Sequence, residues 1–325
     1  MSGPAAAAPS GPPEPPPDPT DRPASPVRDR QAERILAGIG LTILATAFFA
    51  VLDTATKVST AVVPVVMGIW FRYAFQAAAT SALLLPVYGT SLLRTRHPRY
   101  HMLRGALLLT SSVFSFLSLR YMPLAEFTAT VMVTPLAVTL IASLALKERV
   151  SVLRWSLVAG GFAGTLIILR PGGEAFGWAM LLPLGLVVSN AWFQVLTSKL
   201  AQTENPLTMH FYTGWVGALI AACALPFFWQ ALPGWQWWAL LCLMGLMGTV
   251  GHFMLILAYQ RAPASTLTPY LYAQIAFAIV GGQLVFGQTP DAVSLAGIGL
   301  IAVCGAAGAW LTVRERRVPI VPAES

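Results

Sequence analysis

The sequence predicts an all-α integral membrane protein with ten transmembrane helices, arranged as two inverted five-helix repeats. Three observations predict this class. Of the 325 residues, 56% are hydrophobic and only 10% are charged, which leaves too little polar surface to cover a soluble globule. Ten apolar segments follow one another from residue 35 onward. Finally, one pattern of polar residues occurs twice, 140 residues apart.

Each apolar segment has about 18 to 26 residues, close to the ~20 that a helix needs to cross the hydrocarbon of a bilayer. The connections are short and leave no room for a separate water-soluble domain. Five segments fall in a first repeat, 35–170, and five in a second, 175–313. Because five is odd, the second repeat must cross the membrane in the opposite sense. The segments are 35–52, 61–86, 102–119, 123–146, 152–169, 175–197, 206–228, 236–259, 263–286 and 291–313.

The two ends of the chain differ from the segments between them. Residues 1–31 contain ten prolines and show no apolar periodicity. Such a composition cannot bury enough apolar surface to fold, so we expect a disordered tail. Residues 314–325 form a second, short tail. Both tails are predicted to be cytoplasmic.

The basic residues predict this orientation. If the N-terminus is cytoplasmic, 16 of the 20 Lys and Arg residues fall on the inner side, Lys57, Arg120 and Arg170 fall outside, and Arg72 lies within a span. An excess of Lys and Arg in cytoplasmic loops is typical of inner-membrane proteins. The net charge of +7 is therefore attributed to topology and to anionic lipid headgroups rather than to nucleic acid.

The repeated pattern lies in the fourth and ninth segments. Pro123 opens one segment that ends 25 residues later at Glu148, and Pro263 opens another that ends 25 residues later at Gln288. Within each segment, three polar residues are spaced i, i+4, i+8 and form a stripe on one helix face. The stripes pair Glu126 with Thr266, Thr130 with Tyr270, and Thr134 with Gln274. Because uncompensated polar groups are costly in lipid, both stripes are expected to face one shared cavity.

The resemblance to a known family rests on three stretches of the first repeat. These are the run from Ser118 to Glu126, the Thr134-Pro135-Leu136 tripeptide with Lys147-Glu148-Arg149-Val150, and Gly160-Gly161 with Gly164. Together with Phe71-Arg72-Tyr73, they resemble the EamA-type domain of the drug/metabolite transporter superfamily. The resemblance covers residues 35–313. It implies ten helices in two inverted repeats, a central cavity, and transport of small metabolites without a bound cofactor. In the second repeat, Gln288 replaces the usual glutamate and the proline matching Pro135 is missing.

Arg72 lies near mid-depth of the second segment, where a cation costs at least about 2.5 kcal/mol. It either binds an anion or acts in gating, or it is a structural residue that forms an ion pair or extends its side chain toward the membrane surface. Asp53 and Glu126 are its expected partners. Glu126 also complements the N-terminal dipole of its helix, which is a sufficient structural reason for a carboxylate there. Asp53 and Lys57, four residues apart, are expected to form a local ion pair.

Further substrate-binding residues are expected on other segments. His252, which matches Ser112 in the other repeat, either relays protons or bonds a neighbouring helix. Asn190 and Gln194 lie four residues apart with Trp192 between them, and either line the cavity or bond adjacent helices. The full set of expected substrate-binding residues is Arg72, Tyr73, Glu126, Thr130, Thr134, Asn190, Trp192, Gln194, His252, Tyr270 and Gln274.

Pro135, Pro183 and Pro269 are expected to remove one backbone hydrogen bond each from a helix interior, giving either a static kink or a flexing point. Gly160 and Gly164 form a G-x-x-x-G motif, and Gly305 belongs to a similar small-residue pair. Such motifs serve either packing within the chain or a homodimer.

The transporter interpretation competes with two others. The sequence contains no G-x-x-x-x-G-K-[ST] phosphate loop, so this chain does not use ATP directly. An integral membrane enzyme acting on a lipid or prenyl substrate would need a catalytic cluster, and neither H-E-x-x-H nor G-x-S-x-G is present. Three isolated cysteines and four histidines predict no metal site. A non-transporting membrane scaffold would not need polar stripes.

The substrate class follows from the few charges in the spans. With one cation, Arg72, and one carboxylate, Glu126, beside aromatic side chains, the cavity is expected to suit a zwitterionic or amino-acid-like metabolite. A strongly anionic substrate would need several cations in the spans. The sequence does not determine whether transport runs inward or outward.

Overall fold

The computed structural model describes residues 26–138, 141, 152–170, 177–200, 203–262, 267 and 270–315, with side chains from residue 33 onward. Residues 26–31 of the expected tail 1–31 are already helical, whereas residues 1–25 and 316–325 lie outside the described residues. So do Lys147-Glu148-Arg149 and the residues Pro263, Thr266 and Pro269, for which the sequence raised expectations.

Within these ranges the chain is helical, and the described residues include no strand, which confirms the all-α prediction. The α-helices, numbered in chain order, are α1 (Pro26–Ser59), α2 (Val65–Tyr88), α3 (Pro98–Tyr121), α4 (Leu124–Val131), α5 (Val152–Leu169), α6 (Leu182–Leu200), α7 (Pro206–Phe228), α8 (Trp235–Arg261), α9 (Ala273–Phe286) and α10 (Ala292–Glu315). Short 3-10 helices cover Gly89–Leu93 and Trp178–Leu181.

Five helical stretches in the described part of the chain are long and apolar enough to cross a membrane. They belong to α1, α3, the Trp178–Thr197 stretch that includes most of α6, α7 and α8. Four shorter apolar helices correspond to α4, α5, α9 and α10. The described part of the chain is therefore all-helical, with several helices long and apolar enough to span a membrane, and the number of ten spans stays a prediction.

Helix packing follows the repeat. If each helix of the first half is exchanged for its counterpart (α1 for α6, α2 for α7, α3 for α8, α4 for α9, α5 for α10), most packed pairs map onto packed pairs. The α1–α8 contact maps onto α6–α3, and α2–α8 maps onto α7–α3. The pairs α2–α7, α4–α9 and α5–α10 map onto themselves. The two halves are thus interleaved rather than side by side, so an interior site must draw on both.

Helix α4 is short, and a turn separates it from the helical residues that follow. It ends at Val131, the chain turns at Met132 and Val133, and helical residues resume at 134–138. Pro135 lacks the N–H that would bond the Val131 carbonyl in a continuous helix. That carbonyl instead accepts a hydrogen bond from Thr134 Oγ1 at 2.6 Å. The Thr134 hydroxyl therefore satisfies the backbone group that the proline leaves free.

The second half has a turn at the equivalent place. Tyr272, which is 140 residues after Met132, is a turn residue immediately before α9. Tyr272 Oη donates a hydrogen bond to the Met132 carbonyl at 3.2 Å. On α10, Gly305 makes room for the ring, because a Cβ there would lie 1.6 Å from Tyr272 Oη. The two interruptions are therefore joined to each other at the centre of the bundle.

Two expectations about prolines and glycines change in the structure. Pro183 is the second residue of α6, where a helix does not use the backbone N–H, so no kink arises there. Gly160 and Gly164 on α5 face α10 of the same chain, since a Cβ would lie 2.6 Å from Cys304 Sγ at the first and 2.8 Å from Ile301 at the second. The motif serves packing within the chain.

Candidate substrate cavity

A cavity of about 880 Å³ lies between the two halves. Residues of α1, α2, α3, α4, α6, α7, α8 and α9 line it, and none of the described lining residues comes from α5 or α10. The volume falls in the range of metabolite-binding pockets. Helices α5 and α10 therefore pack outside the cavity lining in the described part of the chain.

The cavity extends toward one end of the bundle. Its lining reaches Lys199, next to the last residue of α6, and Tyr259, two residues before the end of α8. The opposite end is closed by polar contacts. There, Lys57 Nζ donates hydrogen bonds to the carbonyls of Leu119 at 3.0 Å and Met122 at 2.6 Å.

A second contact at the closed end joins the two repeats. Arg170, just after α5, donates hydrogen bonds to both carboxylate oxygens of Asp291, just before α10. These bonds, together with those from Ser294, lower the pKa of the Asp291 carboxyl to about 2. The ion pair therefore stays charged throughout the physiological pH range.

Arg72 is held at the inner wall of the cavity by neutral groups. Its Nη1 donates to Ser112 Oγ at 2.9 Å, and its Nη2 lies 3.2 Å from His252 Nε2. Because a guanidinium only donates, Nε2 must accept and the imidazole is neutral. Arg72 Nε has no hydrogen-bond partner among the described residues. The cation thus lines the cavity, and no carboxylate of the described residues lies within salt-bridge distance of it.

Tyr73 supports this arrangement from behind. The side chain is fully buried, and its hydroxyl lies 2.8 Å from Ser112 Oγ. Ser112 uses its own hydrogen for the Leu108 carbonyl at 2.9 Å, so its oxygen accepts from both Tyr73 and Arg72. The tyrosine ring fills the space left by Gly217, where a Cβ would lie 2.4 Å from it. Tyr73 does not line the cavity itself.

The carboxylate on the cavity wall is Asp53. Its Oδ2 accepts a hydrogen bond of 3.0 Å from Gln274 Nε2, which joins α1 to α9. The ion pair expected between Asp53 and Lys57 is not formed, because Lys57 is engaged with backbone carbonyls at the closed end. Asp53 therefore lines the cavity with Gln274 as its hydrogen-bond partner and with Arg72 within electrostatic range.

Several other expected residues also line the cavity. They are Thr134, Asn190, Trp192, Gln194, His252 and Gln274. Gln194 Nε2 donates to Asn190 Oδ1 at 2.8 Å, and Trp192 is 46% exposed. The wall thus combines amides with an indole surface.

The remaining expected residues lie away from the lining. Glu126 is near the closed end, within interaction range of Ser294, Asp291 and Arg170. Thr130 is fully buried and donates its hydroxyl to the Glu126 carbonyl at 2.9 Å. Tyr270 is half-buried but is not a lining residue. The stripe argument assumed a continuous helix, and the turn at Met132–Val133 rotates Thr134 out of line with Glu126 and Thr130.

Sequence reasoning missed a second buried guanidinium. Arg104 was counted among the basic residues on the inner side, although the third segment, 102–119, contains it. In the structure it lies inside α3 with 4% of its surface exposed. It lines the cavity together with His210 of α7. A cation seven residues into an apolar helix was the available signal. The statement that Arg72 is the single cation available to the cavity is therefore corrected.

No metal centre is evident in the described residues, where no three His, Cys, Asp or Glu side chains are grouped as ligands. Three lining residues each have a buried polar atom without a hydrogen-bond partner in the described part of the chain, namely Arg72 Nε, Thr128 Oγ1 and His210 Nε2. Buried polar atoms are normally hydrogen-bonded, so these three are exceptions among the described residues, as are two His101 nitrogens and Gln288 Oε1 outside the lining.

The sequence matches the model of the EamA-like transporter family twice, at residues 36–170 and 177–311. It is 30% identical to a riboflavin transporter of Rhizobium johnstonii, over 83% of this chain and 90% of that protein. It is 29% identical to an S-adenosylmethionine uptake transporter of Rickettsia bellii, over 71% of this chain and 79% of that protein.

A solved crystal structure has a similar fold. It superimposes with a TM-score of 0.60 and 21% sequence identity, covering 88% of this chain and 99% of the other. At this identity the likeness concerns the fold alone.

Proposed function

The chain belongs to the EamA-like transporter family, and on this premise we propose that it carries a small organic metabolite across the cell's inner membrane by alternating access. Membership confirms the resemblance drawn from the first repeat. It also favours the transporter over the membrane enzyme, because both the family and the relatives are transporters. The proposal concerns the substrate, the residues that bind it and the way in which access alternates.

The observation that carries the substrate proposal is the pair of opposite charges on one cavity wall. Arg72 is held by Ser112 and His252, and Asp53 is held by Gln274. Leaving a charge in a low-dielectric site with neutral partners is costly, and a ligand of complementary charge removes that cost. A metabolite bearing both an acid group and an amine satisfies both residues at once.

The rest of the lining suits a substrate with a ring. Trp192 offers an exposed indole surface, and Asn190, Gln194 and Thr134 offer polar contacts beside it. S-adenosylmethionine and riboflavin, named for two relatives, both combine a ring system with a polar chain. In this scheme Tyr73 and Thr130 position the binding residues, Tyr270 packs beside them, and Glu126 acts at the closed end.

The closed and open ends support alternating access. With both termini cytoplasmic, the open end at Lys199 and Tyr259 faces the cytoplasm, and the end closed by Lys57 and the Arg170–Asp291 pair faces outward. Interrupted helices at the midplane are a recurrent feature of transporters built from inverted repeats. The turns at Met132 and Tyr272 allow α4 and α9 to tilt about these points while the binding groups stay in place.

A reversible cross-link across the closed end tests this mechanism. In a variant lacking Cys223, Cys242 and Cys304, cysteines replace Arg170 and Asp291 and are joined by a short bifunctional methanethiosulfonate. Uptake of metabolites from a defined extract into proteoliposomes is measured before cross-linking, after it, and after reduction. We expect uptake to be lost on cross-linking and restored by reductant.

The matched control joins cysteines at Gly160 and Cys304, which lie between α5 and α10 away from the cavity. We expect that link to leave uptake intact. Undiminished uptake with the 170–291 link in place would contradict alternating access, since the outer end would not need to open.

A further inference from the structure

We propose that Arg104 and His210 form a second acid-binding subsite in the same cavity, so that the substrate carries a distal carboxylate or phosphonate-like group besides the groups bound at Arg72 and Asp53. The inference rests on the proposed transport function and specifies its substrate class. It comes from the contacts of the two residues that the sequence did not predict.

Hydrogen bonds hold Arg104 in position through Nε and Nη1 and do not use its Nη2 among the described residues. Its Nε donates to Thr197 Oγ1 at 2.7 Å, and its Nη1 donates to the Met209 carbonyl at 2.9 Å and to Thr213 Oγ1. The guanidinium also lies 4.7 Å from the centroid of the Phe193 ring. Among the described residues no hydrogen-bond partner reaches Nη2, and every partner of Arg104 is uncharged. The cation is oriented but not neutralised.

His210 presents a donor beside it. Gln76 Nε2 lies 3.2 Å from His210 Nδ1 and donates also to the His210 carbonyl at 3.1 Å. With Nδ1 accepting from the amide, the neutral ring carries its proton on Nε2. That nitrogen is buried and has no partner in the described part of the chain, and only 3% of the residue is exposed. A buried donor and a fixed cation on one wall are the groups that bind an oxyacid.

The charge balance points the same way. Among the described lining residues, the guanidiniums of Arg72 and Arg104 lie beside one carboxylate, Asp53, and the ammonium group of Lys199 lies at the open end. An amino acid with a single carboxylate satisfies Arg72 and Asp53 and leaves Arg104 uncompensated. A metabolite with one amine and two acid groups compensates all three. We therefore expect a substrate with a net negative charge, whereas the sequence alone predicted a zwitterionic one.

Binding of paired acids and amides tests the subsite without knowledge of the natural substrate. The probes are L-glutamate, L-2-aminoadipate, L-2-aminopimelate and their side-chain amides, measured by isothermal titration with the full-length protein in nanodiscs. The series varies the distance between the two acid groups. We expect at least one acid to bind 10-fold or more tightly than its amide, and we expect Arg104→Gln to abolish that preference while leaving the affinity for the amide unchanged.

Two variants distinguish substrate binding at this subsite from a purely structural role of its residues. If Arg104 only holds α3, α6 and α7 together, Arg104→Gln weakens acid and amide equally and lowers the unfolding temperature. His210→Phe keeps the ring volume but removes the Nε2 donor, and is expected to reduce the preference for the acid by about 5-fold, a modest loss for one hydrogen bond to a charged group.

The proposal is overturned if no acid binds better than its amide, or if the preference survives Arg104→Gln. These outcomes leave the proposed function standing, because that rests on metabolite uptake and on Arg72. If the wild-type protein shows no metabolite uptake, the proposed function is wrong, and the subsite proposal that rests on it is wrong as well.

Discussion

Ser112 and His252 lie 140 residues apart on equivalent helices, α3 and α8, and contact the two terminal nitrogens of one guanidinium, that of Arg72. The repeat thus brings corresponding positions of both halves to one point of the cavity wall. Arg72 itself has no cationic counterpart in the second half. Pro64 of the first half and Pro206 of the second are 142 residues apart, and the same offset from Arg72 leads to Gly214 of α7. The symmetric scaffold therefore holds an asymmetric charge.

The contacts of Arg72 predict graded effects on transport. Arg72→Lys replaces a planar guanidinium, which contacts Ser112 and His252 through two separate nitrogens, by an ammonium group with a single nitrogen. We expect uptake to fall at least 100-fold. Ser112→Ala and His252→Ala each remove one neutral partner and are expected to raise the KM of uptake about 10-fold, as for a hydrogen bond to a charged group.

Ser115→Ala is the control for these variants. Ser115 lines the same cavity but makes none of the hydrogen bonds of Arg72. We expect its KM to stay within 2-fold of that of the wild type. Equal effects of Ser112→Ala and Ser115→Ala would show that Arg72 needs no orientation.

The carboxylates predict a second contrast. Asp53 lines the cavity, whereas Glu126 lies near the closed end beside Arg170 and Asp291. Asp53→Asn should weaken binding of amine-bearing metabolites about 10-fold or more and spare analogues that lack the amine. Glu126→Gln should affect both classes alike. Competition in proteoliposome uptake measures this, and an amine-selective effect of Glu126→Gln would move the amine site to Glu126.

The contact between Tyr272 and Gly305 predicts the stability of the central turn. Gly305→Ala places a methyl group on the Tyr272 hydroxyl, and overpacking of this kind costs about 1 to 3 kcal/mol. Gly299→Ala on the same helix meets nothing within 4 Å and serves as its control. We expect thermal unfolding in detergent to shift downward for Gly305→Ala alone. Equal unfolding temperatures would mean that Tyr272 occupies another position.

The Arg170–Asp291 pair predicts how the closed end responds to pH. The pKa of Asp291 is lowered from 3.8 to about 2, so this carboxylate stabilises the closed end fully above about pH 4 and loses that contribution only as pH falls toward 2. Asp291→Asn should therefore change the uptake rate by the same factor at every pH from 5 to 8. A mutational effect that disappears by pH 5 would contradict an ion pair at this position.

Much of the architecture was predictable because periodicity and repeats are properties of the sequence. The 140-residue offset relates Met132 to Tyr272 and Ser112 to His252, and both pairs meet in the structure through a direct bond or a shared partner. Arg72 was identified because a cation in an apolar segment is conspicuous.

The rest depended on tertiary contacts. Arg104 was counted as an inner-side residue, and only the packing of α3 against α6 and α7 shows that it is buried. Asp53 and Lys57 share a helix face, but α9 supplies Gln274 to one, and backbone carbonyls after and near the end of α3 bind the other. The four-residue spacing of Asp53 and Lys57 does not show that the two side chains bind different partners. The turn in α4 likewise separated Thr134 from a stripe that a continuous helix would have kept whole.

The central claim, that this chain moves a metabolite through the cavity at Arg72, is tested most directly by one measurement. Proteoliposomes containing the wild-type protein or Arg72→Gln are exposed to a defined bacterial metabolite extract, and their contents are compared by mass spectrometry. We predict that at least one amine- and acid-bearing metabolite accumulates with the wild type and falls to the level of empty liposomes with the variant. Accumulation that is unchanged in Arg72→Gln, or absent with the wild type, would contradict the account.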